Sequence, residues 1–261
     1  MKVVTTMQKL KKPSWLFPLA AFTALLLLWQ TLVQICSIPI WILPSPTAIA
    51  YALWDARMLL LEHTTQTVLE AFLGLCCAII AGVFVATLIE WSEILRRTMY
   101  PFLIISQTIP MIALAPLLII WFGFGIAPKI IVIALTGFFP IAINLIDGFR
   151  LVNPEMLHLM RTMGASKKQI FTVVKVPASL PFFFSGVRIA ATYSIIGAVI
   201  AEWLGATNGL GVMLTRSAKS YMTDRVFAII VVISLLSLVV ITLVEIAART
   251  CIPWHYKLKK E

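Results

Sequence analysis

The chain has 261 residues, 61% of them hydrophobic and only 12% charged, with a mean hydropathy of +0.98 and a formal charge of +10. A soluble domain carries roughly 45–50% apolar and about 25% charged residues, so this composition excludes a water-soluble globule and marks an integral membrane protein. The positive balance needs no nucleic acid to explain it, because lysine and arginine gather on one side of a bilayer.

About 20 apolar residues cross the hydrocarbon core. On that measure residues 1–15 form a basic cytoplasmic segment, followed by a first span at 16–35. This stretch is long and lacks a small-x-small exit, so it reads as a retained span rather than a cleaved signal. The segment 38–66 is the longest on the external face, and its LPSPTAIAYALW run predicts an interfacial helix preceded by two prolines. Further spans are expected at 68–89, 101–122 and 130–146. Pro110 and Pro116 interrupt the third, freeing carbonyls that are tolerated mainly where protein or a water-lined cavity meets them. That makes both candidates for shaping a translocation pathway, as is Asn144 in the fourth span.

A polar loop at 147–181 comes next, and its local signals are dense. Asn153 is placed to cap a helix whose first residue is Pro154. Gly164 supplies the left-handed residue that ends it. Ser166 with Gln169 makes a capping box for a second helix, which Pro177 is expected to stop. At about 100° per residue, Met156, Leu159, Met160 and Met163 fall on one apolar stripe, opposite Glu155, His158, Arg161 and Thr162. A short helix with such a stripe needs a groove to bury it, so the loop predicts a docking element for a partner protein.

The fifth span is expected at 182–204 and the sixth at 226–247, with a basic tail at 248–261. Tyr193, Ser194 and Glu202 are the polar candidates for the pathway in the fifth, since an ionisable group at membrane depth marks function by default. Arg188 is expected to reach towards the cytoplasmic boundary. Of the 21 Lys and Arg residues, fifteen fall on the side bearing both termini and the 147–181 loop, five on the other, and Arg188 within a span. The positive-inside rule then puts both termini in the cytoplasm, consistent with six spans. The fold expected is an all-α membrane bundle with a helix–Gly–helix loop.

No catalytic motif is present: neither HExxH, nor GxSxG, nor a Gly-rich phosphate loop with its lysine. His63, His158 and His255 are far apart, read as lying in loops or at ends, and the four cysteines show no metal-ligand spacing. The chain is expected not to be an enzyme and to bind no cofactor or metal itself.

The residues from Gly164 onward resemble a known motif. In permease subunits of type I bacterial ABC importers, a cytoplasmic loop reads Glu-Ala-Ala, three residues, Gly, nine residues, Ile, one residue, Leu, Pro. Here Val174, Val176 and Pro177 stand at the later positions, while His158, Leu159 and Met160 replace Glu-Ala-Ala. The resemblance extends through LPSPTAIAYAL, QTIPMIALAPLLIIWFGFG, VNPEMLHLMRTMGAS and AEWLGATNGLGVML to the branch importing nitrate, sulfonates, taurine, riboflavin and thiamine precursors. It implies a homodimer in the bacterial cytoplasmic membrane, two ATPase subunits that use ATP, and an external solute-binding protein. ATPase contacts would fall on Glu155, Met156, Leu159, Met160, Arg161, Met163, Gly164, Ala165, Ser166, Lys168 and Pro177. The AEWLGA-x-x-GLG stretch looks closer to permeases for thiamine pyrimidine precursors or riboflavin, with aliphatic sulfonate, taurine or nitrate as alternatives. A stand-alone secondary transporter is the other reading, but the inverted halves it would require are not visible.

Overall fold

Every regular element of the computed structural model, which describes residues 16–203 and 205–257, is helical. In chain order they are α1 (Leu16–Ile35), α2 (Pro46–Asp55), α3 (Arg57–Trp91), α4 (Glu93–Ser106), α5 (Met111–Phe122), α6 (Ile126–Arg150), α7 (Pro154–Thr162), α8 (Lys167–Ile170), a π-helical turn (Phe171–Lys175), α9 (Val176–Glu202), α10 (Leu210–Lys219), α11 (Thr223–Cys251) and α12 (Pro253–Lys257). Among the described residues, five helices are long and apolar enough to cross a membrane, and a sixth crossing is available if α4 and α5 act as one.

That pair corrects an expectation. The stretch read as one span at 101–122 is broken before Pro110 and bent by 98°. Pro110 sits just ahead of α5, where it donates no N–H, and residues 107–110 make the turn. The leading helix agrees with the expected bounds, and α2 forms as foreseen, capped by Ser45 with Pro46 in its first turn. α3 starts at Arg57, so residues assigned to an external loop are helical.

The chain divides into two compact units. One comprises residues 16–56 and 217–228. In it Ile49 and Ala52 of α2 pack with Ala228, and the ring of Trp29 lies 5.7 Å from that of Phe227. Gln30 donates to Thr47, and Thr223 donates to the carbonyl of Trp41.

The other comprises residues 57–216 and 229–257, with α6 as its centre, packed most extensively on α9 and α3. Small residues make this possible. Gly74, Ala78, Gly82 and Ala86 recur every fourth position on the buried face of α3, where Ile133 and Ile141 of α6 fill the notches. Without a hydrophobic drive between helices in lipid, such small-residue seams gain dispersion contacts by letting backbones close up. Gly186 of α9 is the extreme case, since a Cβ there would lie 2.7 Å from the carbonyl oxygen of Pro140. Ile233, Leu236 and Val240 of α11 cover the Ile133–Ile195 cluster.

Candidate functional site

Two polar assemblies occupy opposite ends of this second unit, and α3 measures the distance between them. Its carboxylates Glu70, buried, and Glu90, half-buried, bracket a stretch with no charged residue. At 1.5 Å per residue they are separated by about 30 Å, the thickness of a hydrocarbon core. Each is paired with a lysine from a distant element: Lys129 of α6 for Glu70, Lys175 of the π-turn for Glu90.

At the Glu90 end lies the 147–181 loop. Asn153 accepts from the Glu155 N–H, opening α7. At its far end the Ala165 N–H reaches the Met160 carbonyl and the Gly164 N–H that of Arg161, a Schellman closure. Gly164 has φ +79, a left-handed conformation that a side chain would strain. Ser166 and Gln169 form the reciprocal capping box at the start of α8. The expected stop at Pro177 does not occur. The helix passes through the π-turn into α9, with the Val176 N–H bonded to the Phe171 carbonyl, and Pro177 falls in the first turn of α9. A proline lacks its own N–H and clashes four residues back, and the widened turn relieves both.

None of α7 is buried within the chain. Met156, Leu159 and Met163 are 51%, 58% and 74% exposed, and Met160 is half-buried. Glu155, Arg161, Ser166 and Lys168 face solvent around them. Phe171, by contrast, sits between Trp91 and Phe149, at ring distances of 5.7 and 5.4 Å.

At the Glu70 end, three buried side chains receive the beginning of α10. The first N–H groups of a helix have no partner inside it. Here His63 Nδ1 accepts from Gly209 at 2.8 Å, Thr67 Oγ1 from Leu210 at 2.9 Å, and Glu202 Oε2 from Gly211 at 2.6 Å. Thr67 in turn donates to Glu202 Oε1 at 2.7 Å. The NGLG sequence is what permits this approach. A Cβ on Gly209, whose φ is +129, would meet the Glu202 carboxyl carbon at 2.2 Å, and one on Gly211 would meet the Val199 carbonyl at 2.3 Å. His63, read from sequence as a loop residue, is thus a buried member of α3.

The residues expected along a pathway fall in different settings. Glu202 is 1% exposed and committed to α10. Ser194 is buried and donates to the Ala191 carbonyl, whereas Tyr193 beside it is exposed. Asn144 donates to the Pro140 carbonyl within α6. Pro110 and Pro116 lie exposed at and within α5. Arg188 pairs with Glu245 of α11 at 2.5 Å, a carboxylate that also takes Arg249 at 3.0 Å.

One outcome separates a cap from a charge. In Glu202→Gln, the amide oxygen accepts from Gly211 while its NH2 donates to Thr67, whose own proton turns to the His63 carbonyl 3.1 Å away. Stability is therefore expected to persist in Glu202→Gln. Glu202→Ala leaves the Gly211 N–H buried and unpaired, a loss of about 1–3 kcal/mol, read by thermal unfolding in detergent.

Comparison with known proteins agrees with this architecture. Residues 78–251 match the family described as the binding-protein-dependent transport system inner membrane component. The chain is 37% identical to the formylaminopyrimidine transport permease protein ThiX of Halalkalibacterium halodurans, across 92% of this chain and 96% of that protein. It is 31% identical to the riboflavin transport system permease protein RibX of Chloroflexus aurantiacus, across 97% and 94% respectively. The fold also resembles a chain of the inward-facing MetNI methionine ABC transporter, with a TM-score of 0.63 at 18% identity, covering 80% of this chain and 98% of that one. The exposed helix–Gly–helix loop, the apolar bundle and these likenesses converge: the chain belongs to the inner membrane components of binding-protein-dependent ABC importers, a multi-pass transport permease of the cytoplasmic membrane and not an enzyme.

Proposed function

We propose that two copies of this chain form the passage of an importer for a thiamine pyrimidine precursor or a riboflavin-like vitamin. In this reading α7 docks on each of two ATP-hydrolysing subunits at the cytoplasmic face, and an external solute-binding protein delivers cargo at the other. The observation that carries the coupling role is the stripe Met156–Leu159–Met163, exposed on a helix capped at both ends. Exposed apolar side chains on a well-formed helix call for a partner groove, and methionine suits a contact that is repeatedly repacked. ATP-driven closure of the ATPase pair would carry α7 as a rigid body and rock the spans between inward- and outward-facing states.

The cargo reading rests on the names of the relatives over nearly their full lengths. The test is uptake into proteoliposomes holding the permease with a cognate ATPase and binding protein. ATP-dependent accumulation of labelled formylaminopyrimidine or riboflavin, without taurine, is the expected result. Uptake of taurine in place of both moves the cargo to the sulfonates. Accumulation without any ATPase would make the chain a stand-alone secondary transporter.

A further inference from the structure

The two halves of the 147–181 loop differ in how they are held. α7 is an arm: it buries nothing, and a Cβ added at Gly164 would meet no atom within 4 Å. The stretch from α8 through the π-turn is a base. Ile170 and Val174 are buried, and the Phe171 ring is wedged between Trp91 at the end of α3 and Phe149 at the end of α6. Lys175 closes the base onto α3 by its ion pair with Glu90, whose side chain is 7% exposed against 22% for Lys175.

The π-turn is what aims that lysine. A single extra residue in a helix rotates everything after it by about 100°. Without the insertion, α9 could keep its packing face only by turning Lys175 away from Glu90. The pair is largely shielded from water, so salt screens it weakly and it acts as a fixed distance between two elements. Of the other charges lining the same cleft, Glu93 pairs with Arg96, while Arg161 and Lys167 stand on the arm and the base. Among the described residues the second oxygen of Glu90 has no partner, and Lys175 is the cation paired with this carboxylate.

We propose that the π-turn, locked to α3 by Lys175 and Glu90, is the joint through which displacement of α7 enters the bundle, and that these two are positioning residues for transport. This rests on the coupling role given above to α7. Pushing the arm then moves α3 and α9 together, because the base cannot slide along α3 while the pair holds.

The test uses the complete transporter with Cys36, Cys76, Cys77 and Cys251 replaced by serine and Tyr193→Cys added on the exposed face of α9. Maleimide labelling is timed with and without ATP plus vanadate. With the pair intact, the rate changes on nucleotide trapping. In Glu90→Gln and in Lys175→Met that change is lost while the ATPase still co-purifies, and the exchanged pair Glu90→Lys/Lys175→Glu recovers it. Single variants that keep the nucleotide-dependent change overturn the proposal. So does a loss that the exchange fails to repair, which marks plain packing, and so does loss of ATPase co-purification in the single variants, which marks assembly. If the unaltered pair shows no change with nucleotide, the coupling reading itself falls, and this joint with it.

Discussion

Gly164→Val is expected to leave the permease inserted and folded while abolishing stimulation of its ATPase. The glycine holds φ +79, and a Cβ placed on it would find nothing within 4 Å, so the substitution creates no clash. It acts through the backbone alone. A β-branched residue in the left-handed region costs roughly 1–2 kcal/mol, enough to favour a different turn and swing α7 away from the line set by α8. Met156→Glu isolates the complementary half of the argument. Met156 lies in the first turn of α7 and is 51% exposed, where a carboxylate favours the helix dipole and should steady the helix by a few tenths of a kcal/mol. The same carboxylate would be buried against a partner. A variant more helical in α7 yet unable to stimulate ATP hydrolysis would separate docking from folding. Full stimulation in both variants would remove α7 from the coupling mechanism.

Lys129→Met is expected to cost about 3–5 kcal/mol, the penalty for stripping the partner from a buried ion. Glu70 is 0% exposed, its Oε1 takes Lys129 at 2.5 Å and Gln66 at 2.6 Å, and its Oε2 has no partner among the described residues. With the lysine gone, one amide is left to compensate a carboxylate that no water reaches. The double variant Glu70→Leu/Lys129→Met should return close to the parent, because replacing both partners by apolar groups removes the desolvation penalty with the attraction. Thermal unfolding of the purified protein in detergent reads both. Equal stability in Lys129→Met and the parent would mean that the pair contributes nothing.

How much of this was legible in the chain depends on how far apart the deciding groups lie. Asn153, Pro154, Gly164, Ser166 and Gln169 behave as their identities require, because a cap is settled between residues three or four apart. Pro177 was legible as an obstacle but not as a stop. Whether a missing N–H ends a helix or widens one turn depends on what the flanking residues pack against, here Phe171 and Val174 in the bundle. The receiving face for α10 did leave a trace. Its α3 members His63 and Thr67, followed by Glu70, repeat at four and three residues, in line with Gly74, Ala78, Gly82 and Ala86. A polar run continuing a small-residue seam is a buried run, and the pattern was there to be seen. Its partners were not, since Gly209 lies 146 positions from His63 and Leu210 lies 143 from Thr67.

By itself the sequence determined that this is a bundle in a membrane, which stretches are apolar enough to cross it, and how the exposed loop is capped, because transfer free energy and local hydrogen bonding act within a turn or a span. Only the tertiary structure decided which charges meet. Glu70 with Lys129, Glu90 with Lys175 and Arg188 with Glu245 are separated by 59, 85 and 57 residues. A charge in a low-dielectric interior takes whichever partner helix packing brings within reach, and that packing is set by small residues on three helices at once.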